Sequence, residues 1–222
     1  RLLDLHSSIS IHYVPDSRRP PQTHRDNNIV QILLLSSGTT GLRTWEAALH
    51  LGTYLSTPEG GDLLRGKKIV ELGAGTGFLS LFCAKCLPVE RVVATDCDEG
   101  LVANIASCAK LNQLDGAGKI VPGIWRWGEE LLLKDERERG FDVALGADLV
   151  CCLRSARHRV ADAYGIDNDA DLIPPLISTL EDLFDNYRLE MFIISATLRN
   201  EKTFGAFLRA CGSSPAQCML SS

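Results

Sequence analysis

The stretch Lys67-Lys68-Ile69-Val70-Glu71-Leu72-Gly73-Ala74-Gly75-Thr76-Gly77 decides the fold. Lys67 to Leu72 reads as a buried strand, glycines follow at alternate positions, and Thr76 to Leu87 continues as an apolar helix stopped by Pro88. Glycine lacks a Cβ, so the turn can reverse tightly and its backbone can approach a nucleotide-like ligand closely.

On the C-terminal side, strands are predicted at Arg91 to Thr95, Lys119 to Ile124, Phe141 to Ala147 and Glu190 to Ala196. Helices are predicted between and after them at Asp98 to Asn112, Leu172 to Phe184 and Asn200 to Cys211. The acidic start of the first suits the helix dipole, and Pro174 and Pro175 fall near the first turn of the second, where missing N–H groups cost little. This alternation predicts an α/β fold, a mostly parallel sheet with helices on both faces.

On the N-terminal side, Ile9, Ile11 and Tyr13 alternate, a polar Pro-rich stretch covers Pro15 to Asn28, and an apolar run follows at Ile29 to Leu35. These predict strand, loop, strand. Arg43 to Leu55 carries Trp45, Ala48 and Leu49 at helical spacing, and Pro58, Gly60 and Gly61 are expected to end that helix. The organisation expected is an extension over residues 1–60, with a hairpin-like segment and the Trp45 helix, followed by a main domain over 61–222.

Composition narrows the classes. In 222 residues, 45% are hydrophobic and 23% charged, the balance of an ordinary globular chain. A net charge of -5 gives no broad positive field for a nucleic acid, and no apolar run approaches the roughly 20 residues of a membrane span. Eight cysteines fall well below the roughly 8–10% of a disulfide scaffold, so reduced thiols and a cytoplasmic location are expected. Cys83 and Cys86 form a C-x-x-C without a second pair or histidines, so they read as buried thiols and no metal site is expected.

Asp96 gives the glycine turn its meaning. It lies 19 positions beyond Gly77, at the tip of the next strand, where a carboxylate can accept both hydroxyls of a ribose. The alternative is that Asp96 caps the following helix, a role Asp98 fills equally well. A dinucleotide turn expects G-x-G-x-x-G, but the sixth position here is Phe78; a P-loop needs a Gly-Lys-Ser or Gly-Lys-Thr that is missing.

E-x-G-x-G-x-G followed by a ribose acid resembles motif I of the class I, Rossmann-like methyltransferases that use S-adenosylmethionine. Gly41-Leu42-Arg43-Thr44-Trp45-Glu46-Ala47-Ala48 resembles the G-x-x-x-W-x-A-A signature of the methyltransferase-like 21 group of protein-lysine methyltransferases. Within that group, Gly38 to Leu51 is most similar to the fungal elongation factor 2 lysine methyltransferases. Trp127-Gly128 resembles the family's Trp-Gly pair, and Gly146-Ala147-Asp148 its motif after the fourth strand. The resemblance implies cofactor contacts at Trp45, Gly73, Ala74, Gly75, Asp96, Trp127 and Ala147, with Asp148 as the catalytic or substrate-orienting carboxylate. Arg43 would meet the methionine carboxylate or stand as an ordinary surface arginine; Trp125 would fill core or surface. The partner implied is a protein substrate, elongation factor 2, with no direct nucleic-acid or membrane contact, and a monomer is expected.

The match then breaks. Where the family has an aromatic residue, Cys151 stands, and Cys152 to Ile166 fits neither the family nor the flanking chain, so about 151–166 is expected to be an insertion. Gly212 to Ser222 is too short and polar for the two antiparallel strands that close the family's sheet, and a chain opening on Arg1 is expected to be a fragment or a processed product. Two other readings stay open: a methyltransferase with a different acceptor, and a cofactor- or protein-binding remnant impaired in catalysis.

Overall fold

A computed structural model describes residues 5–12, 29–36, 44–116, 118–131, 140–149, 169–197, 201–212 and 218–220. Two strands, β1 (Leu5–His12) and β2 (Ile29–Ser36), pair antiparallel as the predicted hairpin-like unit. Helix α1 (Glu46–Leu55) starts three residues later than its spacing suggests, because Trp45 is its N-cap with an extended backbone. Pro58 and its glycines do more than end that helix. They open a second, α2 (Pro58–Leu63), in which proline occupies the first turn and the Thr57 hydroxyl accepts the Gly60 N–H at 3.2 Å.

The alternating pattern from Lys67 onward folds as expected. Strand β3 (Lys68–Leu72) is followed by α3 (Phe78–Cys86), β4 (Arg91–Asp96), α4 (Glu99–Leu111), β5 (Ile120–Ile124) and β6 (Val143–Ala147). A 3-10 turn at Asp169–Leu172 leads into α5 (Ile173–Asn186), and β7 (Met191–Ser195), α6 (Glu201–Gly212) and β8 (Cys218–Leu220) complete the described elements. Helix α3 begins at Phe78 rather than Thr76 because Gly77, its N-cap, is left-handed with φ +72°. The segment read as too short for closing strands contributes one three-residue strand, β8, parallel to β7 rather than antiparallel. At a sheet edge, even a short stretch of backbone satisfies otherwise unpaired groups of its neighbour.

The strand order is β5-β4-β3-β6-β7-β8, and every pair is parallel. Side chains alternate between the faces, as period two requires. Ile69, Val92, Ala94, Val143 and Leu145 pack with α1, α3, α4 and with Ile32 and Leu34 of β2. Val70, Leu72, Val93, Ala144 and Phe192 pack on the other face with α5 and α6. The hairpin and α1 therefore share one core with the sheet they precede. Cys83, of the C-x-x-C, lies in that core with no exposed surface, and its partner Cys86 is partly buried against it.

Strand β5 contains Pro122, paired with Ala94 of β4. Lys119 O accepts from Val92 N, and Trp125 N donates to Asp96 O, so the odd-numbered residues of β5 bond to β4. By the same alternation Pro122 turns its nitrogen outward, where no ladder bond is lost.

Among the described residues, no helix is long and apolar enough to cross a membrane.

Candidate functional site

Successive strands are added on one side of β3 up to β5, and then β6 is placed on its other side. At such a reversal the connections leave in opposite directions and a crevice opens at the carboxyl ends of the strands. The glycine turn lies there. Gly73, Gly75 and Gly77 all have positive φ (+60°, +53° and +72°), a conformation that L side chains rarely adopt. Space adds a second constraint at Gly73: a Cβ there would stand 3.0 Å from Leu149 Cδ2 and 3.4 Å from Trp127 Cζ2.

Two hydrogen bonds fasten the turn to β4. Ala74 N donates to Thr95 O at 2.8 Å, and Gly75 N donates to Asp96 Oδ2 at 2.9 Å. The other oxygen of Asp96 accepts the Asp98 N–H at 3.1 Å. Asp98, not Asp96, caps α4: its Oδ1 takes the N–H groups of Gly100 and Leu101 at 2.7 and 3.1 Å. The alternative role for Asp96 is thus filled by its neighbour. A carboxylate offers about four lone-pair positions, more than the backbone N–H groups that reach Asp96, so room remains for a further donor. Burial pushes its pKa up, opposed by the Asp98 and Gly75 N–H bonds.

Beneath the turn, Glu71 is fully enclosed. Its Oε2 accepts the Ser80 N–H at 2.9 Å and also the Ser80 hydroxyl. Ser80 lies in the first turn of α3, where N–H groups have no intrahelical partner, and the N-cap Gly77 has no side chain to offer. Glu71 supplies that cap from the strand. Burial pushes its carboxyl up to about 8, against the Ser80 bonds and with some help from the charge of Asp96.

The remaining predicted residues fall around this corner at different distances. Trp127 is half-buried beside Gly73, and Gly128 N donates to Thr179 Oγ1 of α5 at 2.8 Å, which holds the Trp-Gly turn against that helix. Trp125 is core: it is 3% exposed and its indole N–H donates to Glu129 O at 2.9 Å. Trp45 is half-buried, and its neighbour Thr44 joins the glycine turn by a 3.1 Å contact between the Thr44 and Thr76 hydroxyls. Leu72 is in register with Gly146, so Ala147 at the tip of β6 stands beside Gly73. Asp148, next after Ala147 at the tip of β6, has both carboxylate oxygens on Thr197 beyond β7. Arg43, Cys151 and the 151–166 segment lie outside the described residues.

Four residues around the glycine turn carry no functional expectation from the sequence. Thr179 left a trace: it occupies the buried stripe of α5 with Leu176, Leu180 and Leu183, where a polar side chain needs a partner. Thr44 and Thr76 sit inside the motifs without a distinguishing pattern. Leu149, buried over Gly73 and Gly146, shows no signal in a single sequence.

A family model described as "Lysine methyltransferase" matches residues 24–158. The chain is similar to protein-lysine N-methyltransferase EFM3 of Chaetomium thermophilum, with 42% identity over 81% of this chain and 49% of that protein. It is similar to protein-lysine N-methyltransferase EFM3 of Saccharomyces cerevisiae at 27% identity, over 85% of this chain and 53% of that protein. The chain thus spans about half the length of these relatives. Among solved structures, the T. Thermophilus 16S rRNA methyltransferase RsmC, in complex with AdoMet and guanosine, shares the fold. Its TM-score is 0.56 at 17% identity, over 96% of this chain and 47% of that one.

Proposed function

The chain belongs to the lysine methyltransferase family whose model it matches, and we propose that it transfers a methyl group from S-adenosylmethionine to a lysine side chain of a protein, elongation factor 2. One observation carries the cofactor assignment: a turn with three left-handed glycines is tied, through the Gly75 N–H, to the buried Asp96 carboxylate, which keeps room for a further donor. That donor set suits an uncharged ribose better than a phosphate, because a carboxylate repels an anion and accepts hydroxyls. The Gly38 to Leu51 resemblance supports the elongation factor.

In this reading Asp96 takes the ribose hydroxyls, the Gly73–Gly75 backbone lies along the nucleoside, and Trp127 and Ala147 wall it, with Trp45 at the turn's flank. The bound sulfonium supplies an activated methyl group. What the chain must add is alignment and exclusion of water. A free lysine, with a pKa near 10.4, is almost wholly protonated at neutral pH, so the site must favour the neutral amine or release its proton. Asp148 orients the amine as a hydrogen-bond acceptor at the strand tips. The protein acts as a monomer in the cytoplasm, where the thiols of Cys83, Cys86, Cys97, Cys108 and Cys211 stay reduced.

The test is to incubate the purified chain with elongation factor 2 and methyl-labelled S-adenosylmethionine, and to locate the label by peptide mass spectrometry. Label on a lysine of the factor is expected. Label on another acceptor would replace the substrate; cofactor binding without transfer would leave a binding remnant.

A further inference from the structure

Asp148 follows β6 in a left-handed conformation, φ +56°, and its N–H donates to Ser195 O at 2.9 Å. Thr197, two residues past the end of β7, donates its backbone N–H to Asp148 Oδ1 at 2.6 Å and its hydroxyl to Oδ2 at 3.1 Å. The aspartate is 3% exposed. Three hydrogen bonds therefore close the tips of β6 and β7, just beyond the paired residues Ala147 and Ser195.

The two contacts from Thr197 do different work. A single bond to one oxygen would leave the carboxylate able to turn about its Cβ–Cγ bond, a torsion with a broad, soft profile. A second bond from the same residue to the other oxygen fixes the plane of the group. We infer that Thr197 is a positioning residue for methyl transfer: it holds both Asp148 oxygens in one orientation, so that the incoming amine meets a fixed acceptor. Nothing in the primary sequence marks Thr197, which is 49 positions from its partner. The inference rests on the proposed lysine methylation, since it assigns a role within that reaction.

Thr197→Val removes the hydroxyl and keeps the backbone N–H and the branched shape, while Thr197→Ser keeps both donors. Loss of one bond to a charged acceptor corresponds to about a tenfold change. Thr197→Val is expected to lower kcat for protein methylation by about tenfold, with KM for S-adenosylmethionine within about twofold of wild type, and Thr197→Ser to recover activity to within about threefold. A second measurement needs no turnover: in urea unfolding, Asp148→Ala and Thr197→Val should be non-additive, the pair costing less than the two single changes together. An active wild type with unchanged kcat in Thr197→Val, or with additive unfolding effects, overturns this inference alone. A wild type that binds the cofactor but methylates nothing overturns the proposed function, whatever the unfolding cycle shows.

Discussion

The Asp96 carboxylate accepts the Gly75 N–H at 2.9 Å, so the tip of β4 and the glycine turn after β3 form one hydrogen-bonded unit. Asp96→Asn keeps the volume but places an NH2 where one of two backbone N–H groups now donates, so donor faces donor. S-adenosylhomocysteine affinity, measured by calorimetry, is expected to fall about 10–100-fold. Because burial raises the Asp96 pKa, wild-type affinity should also strengthen as pH rises through and above the ordinary carboxylate range, as the acceptor becomes ionised. A pH-independent affinity, or an unaltered one in Asp96→Asn, would remove Asp96 from the ribose role.

Two glycines separate backbone strain from crowding. Gly66 has φ +68°, and a Cβ added to it would meet nothing within 4 Å, whereas at Gly77, φ +72°, the same atom would stand 2.8 Å from Ile105 Cγ1. Gly66→Ala should cost about 1 kcal/mol, the conformational term alone. Gly77→Ala should cost about 1–3 kcal/mol more, because Ile105 is fully buried and has little room to move. Denaturant midpoints measure both; equal losses would mean that crowding at Gly77 is relieved at no expense.

Glu71 makes stability depend on pH with a definite sign. Its carboxyl titrates at about 8 in the fold, mainly through burial, against an ordinary value of 4.5. Between those values the folded chain keeps a proton that the unfolded chain has lost. Its contribution is therefore fully present below about pH 4.5, declines as pH rises, and is gone above about 8, a loss on the order of 5 kcal/mol. Glu71→Gln keeps an acceptor for Ser80 and removes the titration. Urea unfolding at several pH values across this window should show a shallower decline in the variant; an identical slope would sink the assignment.

The Thr44 and Thr76 hydroxyls, 3.1 Å apart, couple the start of α1 to the glycine turn. Thr44→Val should cost about 1 kcal/mol. In the Thr76→Val background it should cost almost nothing further, because its partner is already absent. Full additivity in thermal unfolding would deny the coupling.

The fold was legible because each parallel strand is a short apolar run and each helix carries its own start or stop: Pro88 past α3, Asp98 at α4, the prolines of α5. Misreadings came where local signals have two meanings. Pro58 reads as a helix stop, yet proline also suits a first helical turn. Thr76 reads as helical, but the left-handed Gly77 delays α3. At the candidate site, Gly73, Gly75 and Asp96 were legible because a strand-to-helix turn of left-handed glycines tied to a carboxylate demands unusual residue types in fixed order. The clasp between Asp148 and Thr197 was not, because a hydrogen bond across 49 positions leaves no local pattern. The same holds for Leu149, an ordinary leucine until the turn packs beneath it.

Pro122 has a consequence for how copies of the chain behave at high concentration. Strand β5 borders the sheet, and the large apolar side chain of Ile124 is 49% exposed upon it. Such a border invites a foreign strand to dock and extend the ladder, the first step of sheet-mediated aggregation. With the nitrogen of Pro122 facing outward, an arriving strand finds a missing donor and a bulky ring midway along the row. The growing contact is interrupted after one residue on either side, so the proline serves as a guard on the edge that also carries the chain's stickiest described side chain.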